Sequence, residues 1–403
     1  MYMLCKSLSS LKWTVITLIL FFSILPVDCG PASAQGWQLV KVRLDVPEKF
    51  KKGVFNVERY LNVPEGFAVS VFAAGLDSPR LMAFDRQGRL FVSLPSEGQV
   101  VVLPDEDGNG VADRQVVFAR GLTRPHGLAF SRDELIVAET GRVIAINLKK
   151  EASSVVAGPM RVLSSEIPSG GSHWSRSVVA SADGTLYISA GSSCNACVED
   201  EPKRASVMRL RKGRAIEIYA RGLRNTVGLA MHPDTDELWG VDNGRDWLGD
   251  DLPPEELNLI KEGGDYGWPY CYGDKVHDKD YGTAARCAST EPPVVMMQAH
   301  SAPLGISFGD GLGFPAEFKD ALYIAFHGSW NRSKATGYKL VAVPFKEGAP
   351  VGGTIDFITG WFYGTRPWGR PVAPIVGPDG ALYVSDDYAG AIYRVVYKGG
   401  AVR

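Results

Sequence analysis

The sequence has no excess of basic residues. It carries 43 Lys and Arg against 45 Asp and Glu, which gives a formal net charge of −2 at pH 7. A nucleic-acid-binding surface needs a basic stripe that neutralises phosphates. No nucleic acid is therefore expected as a partner.

Long apolar runs are also scarce. The one candidate, WTVITLILFF at residues 13–22, follows Lys6 and Lys12 and precedes the small-residue signature Ala32-Ser33-Ala34. A membrane span needs about 20 apolar residues, and this pattern is typical of a secretory signal peptide. We predict a signal peptide over residues 1–34 with cleavage near Ala34, a periplasmic or secreted protein, and no stable membrane insertion. An uncleaved anchor is the alternative.

Cysteine is rare. Two of the six cysteines, Cys5 and Cys29, lie in the predicted signal peptide, which leaves Cys194, Cys197, Cys271 and Cys287. Four thiols in an oxidising compartment usually pair, in one of three connectivities. Sequence proximity favours Cys194–Cys197 and Cys271–Cys287. A zinc site is the alternative, although the second spacing is long for one. C-x-x-C-H is absent, so CNACV is not a haem attachment site.

Turn residues are abundant, and one phrase recurs among them. The 45 Gly and 25 Pro indicate many short elements. Each copy has a short apolar run, a polar turn and an alternating apolar run, which is the pattern of a β-hairpin. The six copies are LMAFDRQGRLFVS, GLAFSRDELIVAE, VVASADGTLYISA, GLAMHPDTDELWGVD, GISFGDGLGFPAEFKDALYIAF and APIVGPDGALYVSD, which begin near residues 82, 128, 178, 229, 305 and 374.

The repeat predicts an all-β fold, a six-bladed β-propeller with four-stranded antiparallel blades. Its period is about 50 residues early and about 70 late, as expected for propeller blades. GFAVSVFAAGL (66–76) and the final AIYRVVYKG are predicted to share one blade and close the ring. We expect an N-terminal extension at 35–60 and a single propeller domain at 61–403. Two β-sandwiches are the weaker alternative.

The loops before the inner strands are rich in Arg and His. They carry Pro79-Arg80, Pro125-His126, His173 to Arg176, Arg224-Asn225, His300-Ser301 and Arg366 to Arg370. Many arginines around one channel repel each other unless an anion lies among them. The sequence therefore predicts a polyanionic ligand.

Longer motifs in the same loops resemble a known family. ARGLRNTVGLAMHPDTDELWGVDNGRD, followed by PEELNLIKEGGDYGWPYCYGD, is similar to the soluble pyrroloquinoline quinone (PQQ)-dependent sugar dehydrogenases. GSSCNACVED and HSAPLGISF…HGSWNRS resemble the sorbosone dehydrogenase-like branch. The resemblance extends from about residue 60 to the C-terminus and implies the same six-bladed propeller.

The resemblance implies roles for particular residues. His173 matches the general base, and Arg224 and Asn225 match an Arg-Asn pair at the quinone. The main-chain oxygens of Gly244 and Arg245 match those that hold the PQQ calcium. Further cofactor-binding candidates lie at Arg332 and Arg370, near carboxylate-pairing positions, and at His126 and His300, which fall near contact positions without matching them. Ser192 stands where the sugar dehydrogenases carry an Asp that supports the base.

These residue types suit the chemistry of a PQQ dehydrogenase. PQQ has three carboxylates, which Arg can clamp, and Ca²⁺ takes hard oxygen ligands. A neutral His can accept a hydroxyl proton, and Arg224 can stabilise charge on a quinone oxygen. The predicted activity is oxidation of a sugar or sugar-derived aldehyde to a lactone or acid, with an external cytochrome or quinone as acceptor. A calcium-dependent propeller lactonase and a non-enzymatic binding propeller are the alternatives.

A second calcium site is predicted in DEDGNGVAD. Asp105, Asp107, Asn109 and Asp113 match positions 1, 3, 5 and 9 of an EF-hand-like loop. Val116 stands in place of the usual bidentate Glu. A hairpin turn without metal explains the same residues.

Overall fold

The chain is described here from a computed structural model that covers residues 36–151 and 154–399. The predicted signal peptide and its cleavage site lie outside the described residues. Among the residues it covers, no helix is long and apolar enough to cross a membrane.

An N-terminal extension precedes the blades. Strand β1 (Leu39–Arg43) pairs antiparallel with β2 (Tyr60–Pro64), and two short 3₁₀ turns, Glu48–Phe50 and Gly53–Phe55, connect them. Strand β2 spans the predicted boundary at residues 60 and 61, which stays a prediction.

Six antiparallel sheets follow, five of them four-stranded and one extended by a short fifth strand, and we number them blades 1 to 6 in chain order. The strand that completes blade 6 comes first in the chain and is β3 (Phe67–Ala74). Blade 1 contains β4 (Met82–Phe84), β5 (Leu90–Leu94), β6 (Gln99–Leu103) and β7 (Val116–Ala119). Blade 2 contains β8 (Gly127–Ser131), β9 (Glu134–Ala138), β10 (Val143–Glu151) and β11 (Ser154–Ser164).

Blades 3 and 4 carry the longer loops. Blade 3 contains β12 (Val178–Ala180), β13 (Leu186–Ala190), β14 (Ser206–Leu210) and β15 (Glu217–Arg221). Blade 4 begins with β16 (Thr226–Met231), β17 (Leu238–Asp242) and β18 (Glu255–Leu259). An insertion with β19 (Cys271–Tyr272), β20 (Val276–His277) and helix α1 (Ala284–Cys287) comes before its last strand, β21 (Val295–Met297).

Blades 5 and 6 complete the ring. Blade 5 contains β22 (Pro303–Phe308), helix α2 (Ala316–Lys319), β23 (Ala321–Phe326), β24 (Lys339–Lys346), the short β25 (Ala349–Pro350) and β26 (Ile355–Ile358). A small hairpin of β27 (Phe362–Tyr363) and β28 (Arg366–Pro367) precedes blade 6. Blade 6 contains β29 (Pro371–Val376), β30 (Leu382–Asp386) and β31 (Ala391–Tyr397).

The predicted closure is confirmed. Strand β3 pairs with β31 from Phe67 opposite Tyr397 to Ala74 opposite Ala391. The first and last strands of the ring therefore share one sheet, which closes the ring by joining the two ends of the propeller sequence. The six-bladed, all-β fold predicted from the repeated phrase is confirmed.

The core consists of apolar layers between neighbouring blades. Phe91 of blade 1, for example, is fully buried with Leu135 and Ile144 of blade 2. Near the axis the inner strands approach too closely for side chains. A Cβ on Gly127 would lie 2.6 Å from the amide nitrogen of Val178, and one on Gly228 would meet the carbonyl oxygen of Leu304. This close approach explains why Gly opens several copies of the repeated phrase.

Candidate active site

The loops that precede the inner strands meet at one end of the channel, which we call the mouth. The inner strands themselves enclose an axial cavity of about 450 Å³, lined by apolar side chains such as Met82, Phe130 and Ile306. Asp310 is the one ionisable side chain in the lining of that cavity. The candidate catalytic residues are therefore sought at the mouth.

His173 lies at the mouth, in the loop before β12. Its Nδ1 is 2.9 Å from both the main-chain oxygen and the Oγ of Ser192. A carbonyl oxygen only accepts, and the Ser192 hydroxyl donates to the Cys194 carbonyl at 2.7 Å. Nδ1 must therefore carry the proton. Nε2 keeps its lone pair, and no described residue bonds to it. Ser192, and no carboxylate among the described residues, thus orients the ring.

The surroundings keep the His173 imidazole neutral. Burial and, after it, the charge of Arg224 lower its pKa to about 3, while the hydrogen bond to the Ser192 carbonyl opposes both. Because cations cause part of this shift, an anion bound at the mouth raises the pKa towards the range of an effective general base.

Arg224 is held beside this histidine by main-chain and side-chain oxygens. Its Nε donates to the Asn195 carbonyl at 2.8 Å, its Nη2 to Asn195 Oδ1 at 2.9 Å and its Nη1 to the Asn243 carbonyl at 3.0 Å. The nearest carboxylate oxygen, on Asp246, is 3.6 Å from Nη2. The guanidinium is therefore fixed in direction, and its charge is only partly compensated.

One disulfide loop holds both candidate catalytic groups. Cys194 and Cys197 are bonded, as predicted. Asn195, between them, accepts from Arg224, while the Cys194 carbonyl accepts from Ser192, the partner of His173. The second predicted disulfide, Cys271–Cys287, is also present. Both predicted pairs are confirmed, so these cysteines form no zinc site.

Asn225 and His173 both pack against residue 191, which is glycine. A Cβ on Gly191 would lie 2.5 Å from Asn225 Oδ1 and 2.6 Å from His173 Cβ. Real side chains do not approach that closely, so any larger residue would displace one of the two groups. The main chain of Asn225 is anchored separately, because its amide donates to Asp242.

The Gly244–Arg245 turn fits a cation. No donor among the described residues reaches either main-chain carbonyl oxygen, and such unpaired oxygens are ligands that Ca²⁺ accepts. Buried carboxylates stand behind the turn: Glu255 accepts from the Gly244 amide at 2.8 Å. Burial raises the pKa of Glu255 to about 8, and a nearby cation would favour its ionised form.

The mouth also contains arginines that pair with no carboxylate among the described residues: Arg176 and Arg204 are buried, and Arg370 is partly buried. Arg370 donates to the carbonyls of His327 and Gly328, and Arg204 donates to the Gly191 carbonyl. Burial and the charge of Arg204 lower the pKa of Arg176 to about 10. This excess of positive charge suits an anionic ligand such as PQQ.

Three of the predicted cofactor ligands have their hydrogen-bonding groups engaged within the protein. His126 is fully buried, with Nδ1 on the Arg176 carbonyl and Nε2 accepting from Arg80. His300 donates from Nε2 to the Gly249 carbonyl at 2.8 Å. Arg332 pairs with Asp251 at 2.7 Å. Contact with a cofactor would require a change of partner at His300 and Arg332, and all three roles stay predictions.

The acidic loop at residues 105–113 folds around its own backbone. Asp105 accepts from the amides of Asn109 and Gly110, Asp107 also accepts from Asn109, and Asp113 accepts from the Glu106 amide. These are the bonds of a tight turn. Calcium binding there stays a prediction.

Sequence reasoning missed several residues of the mouth. Asn195 lay unnoticed between two cysteines, and Asp246 follows the Gly244–Arg245 turn directly. Asp387 bridges Arg80 at 2.7 Å and His327 at 2.9 Å, and so connects blades 1, 5 and 6. Burial acts to raise the pKa of Asp387, but these partners hold it well below its usual range. The sequence could have indicated these three residues by their position, because each follows the second strand of a blade.

The fold and the mouth together define a class: a six-bladed propeller with a neutral histidine among buried cations. Comparison with family models narrows this class. Residues 61–280 and 272–398 match the model described as TrAA12-like, and the chain belongs to that family.

Individual relatives agree with this assignment. An uncharacterized protein of Borreliella burgdorferi is 31% identical over 357 residues, 84% of this chain and 91% of that protein. The pyrroloquinoline quinone-dependent pyranose dehydrogenase of Coprinopsis cinerea is 25% identical over 411 residues, 85% of this chain. This chain covers 55% of the length of that fungal protein.

Solved structures show the same fold. A Trichoderma reesei member of carbohydrate-active enzyme family AA12, solved with iodide, matches with a TM-score of 0.74 at 22% identity. The match covers 83% of this chain and 97% of that chain. The sorbosone dehydrogenase-like branch stays a prediction.

Proposed function

We propose that this protein is a PQQ-dependent dehydrogenase that oxidises a sugar or sugar-derived aldehyde, of the aldose or sorbosone type, to a lactone or acid. The observation that carries the proposal is His173, a neutral imidazole with Nδ1 bonded to Ser192 and Nε2 free beside Arg224. The names of the fungal relatives, which are PQQ-dependent pyranose and sugar dehydrogenases, support it.

His173 acts as general base. Its Nε2 accepts the proton of the substrate hydroxyl, and the imidazolium that forms stays hydrogen-bonded to Ser192 through Nδ1. Arg224 donates from its fixed guanidinium to oxygen that gains negative charge in the transition state. Bound PQQ with its calcium supplies the electron-pair acceptor of this oxidation, with the metal as Lewis acid.

The cofactor would be held by groups of opposite or complementary charge. Arg370 and Arg332 would pair with the carboxylates of PQQ. The side-chain amide of Asn225 would hydrogen-bond to PQQ, and His126 and His300 would lie near it. The main-chain oxygens of Gly244 and Arg245 would hold the calcium. Reoxidation would require an external acceptor, a cytochrome or a quinone.

We also propose that the protein is exported. Two disulfides lie within the described chain, and disulfides persist in oxidising compartments. Mass spectrometry of the protein from its host should find an N-terminus at or near Gln35. A mature protein that still begins at Met1 would contradict processing near Ala34.

The catalytic assignment is tested by replacing His173. We expect His173→Ala to reduce kcat for dye-linked oxidation across a sugar and aldehyde panel by about 10²- to 10⁴-fold, the usual contribution of a general base. PQQ affinity should change far less. Arg224→Ala should weaken both turnover and PQQ binding.

His232→Asn provides the matched control. His232 lies in the turn between β16 and β17, where Nδ1 accepts from the amides of Asp234 and Thr235, and Asn can accept the same bonds. The kcat of His232→Asn should remain close to that of the unmodified protein. Undiminished oxidation by His173→Ala would refute the role of the base.

A further inference from the structure

Two tryptophan side chains form an exposed corner at the rim of the mouth. Trp247 and Trp330 are each 68% exposed, although large aromatic side chains are usually mostly buried. Their ring centroids are 5.4 Å apart and their planes meet at 87°. One ring therefore forms a wall beside the other, and open aromatic surface faces solvent. We call this pair the tryptophan corner.

The backbone of Trp247 is strained to make this arrangement. Its φ is +73°, a conformation that bulky L-residues rarely adopt. Such strain persists where the surroundings fix the chain, and it concentrates at functional positions. Glycine or asparagine would adopt this φ more easily. The presence of tryptophan at this position therefore indicates that its ring has a function.

A hydrogen-bond bridge holds the two loops of the corner together. Asp246, which precedes Trp247, accepts at Oδ1 from Asn331 Nδ2 at 2.6 Å. Asn331 in turn follows Trp330. The Asp246 amide donates to Asn195 Oδ1 at 2.8 Å. The corner is therefore built on the same disulfide loop that positions Arg224 and His173.

The corner lies outward of the reacting groups. The Arg224 side chain, 5% exposed, is 3.6 Å from the second oxygen of Asp246, whereas both tryptophan rings face solvent. A molecule that contacts both the rings and His173 extends from the exposed rim into the buried part of the mouth. The partly exposed pair of Arg332 and Asp251 at the same rim offers charged hydrogen-bond groups.

We infer that the tryptophan corner is a carbohydrate subsite that binds a pyranose unit next to the one being oxidised. This inference rests on the proposed function and specifies its substrate class, namely oligosaccharides or glycoconjugates. One face of a pyranose carries C–H bonds, which are attracted to the negative face of an aromatic ring. Its hydroxyl edge can bond with the exposed carboxylate of Asp251.

A docking surface for a protein acceptor is the less favoured explanation. A specific protein interface usually covers about 800 Å² on each partner. The corner consists of two aromatic rings set among Asp246, Asp250, Asp251 and Arg332. A surface this small and this polar fits a single pyranose unit better than it fits a protein. A protein acceptor is therefore an outcome of the test rather than the proposal.

Isothermal titration with cellotetraose, xylotetraose and maltotetraose tests the corner on the mature protein, with and without PQQ. We expect at least one tetrasaccharide to bind, and Trp330→Ala and Trp247→Asn each to weaken its binding by about tenfold. Asn is chosen because it tolerates positive φ. The matched control, Trp330→Phe, keeps a ring and should stay within about twofold of the unmodified protein.

Kinetics separate this inference from the proposed function. In the holoenzyme, the same two variants should lower kcat/KM for the tetrasaccharide and leave that for the free monosaccharide unchanged. Binding of a tetrasaccharide with no oxidation of any sugar would support the corner and contradict the dehydrogenase. Monosaccharide turnover with no tetrasaccharide binding would overturn the corner alone. Slower electron transfer to cytochrome c, without a change in sugar affinity, would also overturn it.

Discussion

At the scale of single residues, the neighbours of His173 determine which of its ring nitrogens carries the proton. The Ser192 carbonyl can only accept, so it fixes the proton on Nδ1 and directs the Nε2 lone pair to the mouth. A carboxylate at position 192 would stabilise the protonated ring, whereas serine orients it without adding charge. The base is thus oriented by hydrogen bonds and kept neutral by burial and by Arg224.

Gly191→Ala tests how tightly these groups are packed. The new Cβ would lie 2.5 Å from Asn225 Oδ1 and 2.6 Å from His173 Cβ, so one of them must move. A displacement of about 1 Å at a reacting group costs about 10²-fold in rate. We expect kcat/KM for sugar oxidation to fall by that factor, with a small change in melting temperature.

Gly353→Ala is the control for that substitution, because nothing lies within 4 Å of a Cβ at position 353. Its kcat/KM should be unchanged. Full activity in Gly191→Ala would mean that the packing of Asn225 and His173 against Gly191 does not matter for turnover.

The sequence predicted His173 and Arg224 as candidates but not the groups that hold them in place. Both stand in motifs with family-specific spacing, which a sequence displays directly. Asn195 and Asp246 contact Arg224 only because the second-strand loops of blades 3 and 4 meet at the mouth. Such contacts depend on loop conformation, which spacing does not encode.

At the scale of elements, the Cys194–Cys197 loop is the support of the site. It contacts His173 through Ser192 and Arg224 through Asn195, and it also bonds to the loop of the tryptophan corner. Three functional groups therefore depend on one short covalently closed turn.

Replacing both cysteines of this loop by serine should lower kcat more than stability. A short closed loop removes little chain entropy from the unfolded state, but its opening releases the partners of both catalytic groups. We expect kcat to fall by at least about tenfold while the melting temperature changes by a few degrees. Dye-linked kinetics and calorimetry on the same samples measure the two effects.

The other disulfide gives the contrasting case. Cys271 and Cys287 are 16 residues apart, and a loop of that size stabilises a protein by about 3 kcal/mol in the chain-entropy model. Serine at both positions should lower the unfolding free energy by about that amount. Equal losses of kcat in the two double variants would contradict a special role of the Cys194–Cys197 loop.

At the scale of the whole molecule, buried ionisable groups act on stability in two directions. Burial lowers the pKa of His126 and His173, so they favour the fold above about pH 6.5 and lose this contribution as the pH falls. Burial raises the pKa of Glu255 to about 8 and of Glu256 to about 7, so their contribution is lost as the pH rises towards those values.

His126→Gln isolates the acid side of this balance in cofactor-free protein. Below pH 6.5 the unfolded wild type binds one proton at His126 that the folded protein excludes. Relative to the variant, the wild type should lose about 1.4 kcal/mol of unfolding free energy per pH unit between pH 6 and 5. Urea unfolding at several pH values measures the difference. A difference that is constant with pH would contradict a neutral His126.

The propeller was predictable because the hairpin phrase is repeated six times in the sequence. The two strands that close it, Phe67–Ala74 and Ala391–Tyr397, carry the same alternation of apolar residues. The packing of the N-terminal extension was not predictable, because it depends on a few specific contacts. Trp37 packs on Phe318 and Phe357 of blade 5, and no periodicity in residues 36–60 predicts these contacts.

The central claim is that the cation-rich mouth binds PQQ and oxidises sugars with it. The most direct measurement is a titration of EDTA-treated mature protein with PQQ, with and without Ca²⁺, following quinone absorbance and dye reduction over sugars and aldehydes. The account predicts stoichiometric, calcium-dependent binding and turnover of at least one compound. No binding at micromolar PQQ would contradict it and would favour the lactonase or binding-propeller alternatives.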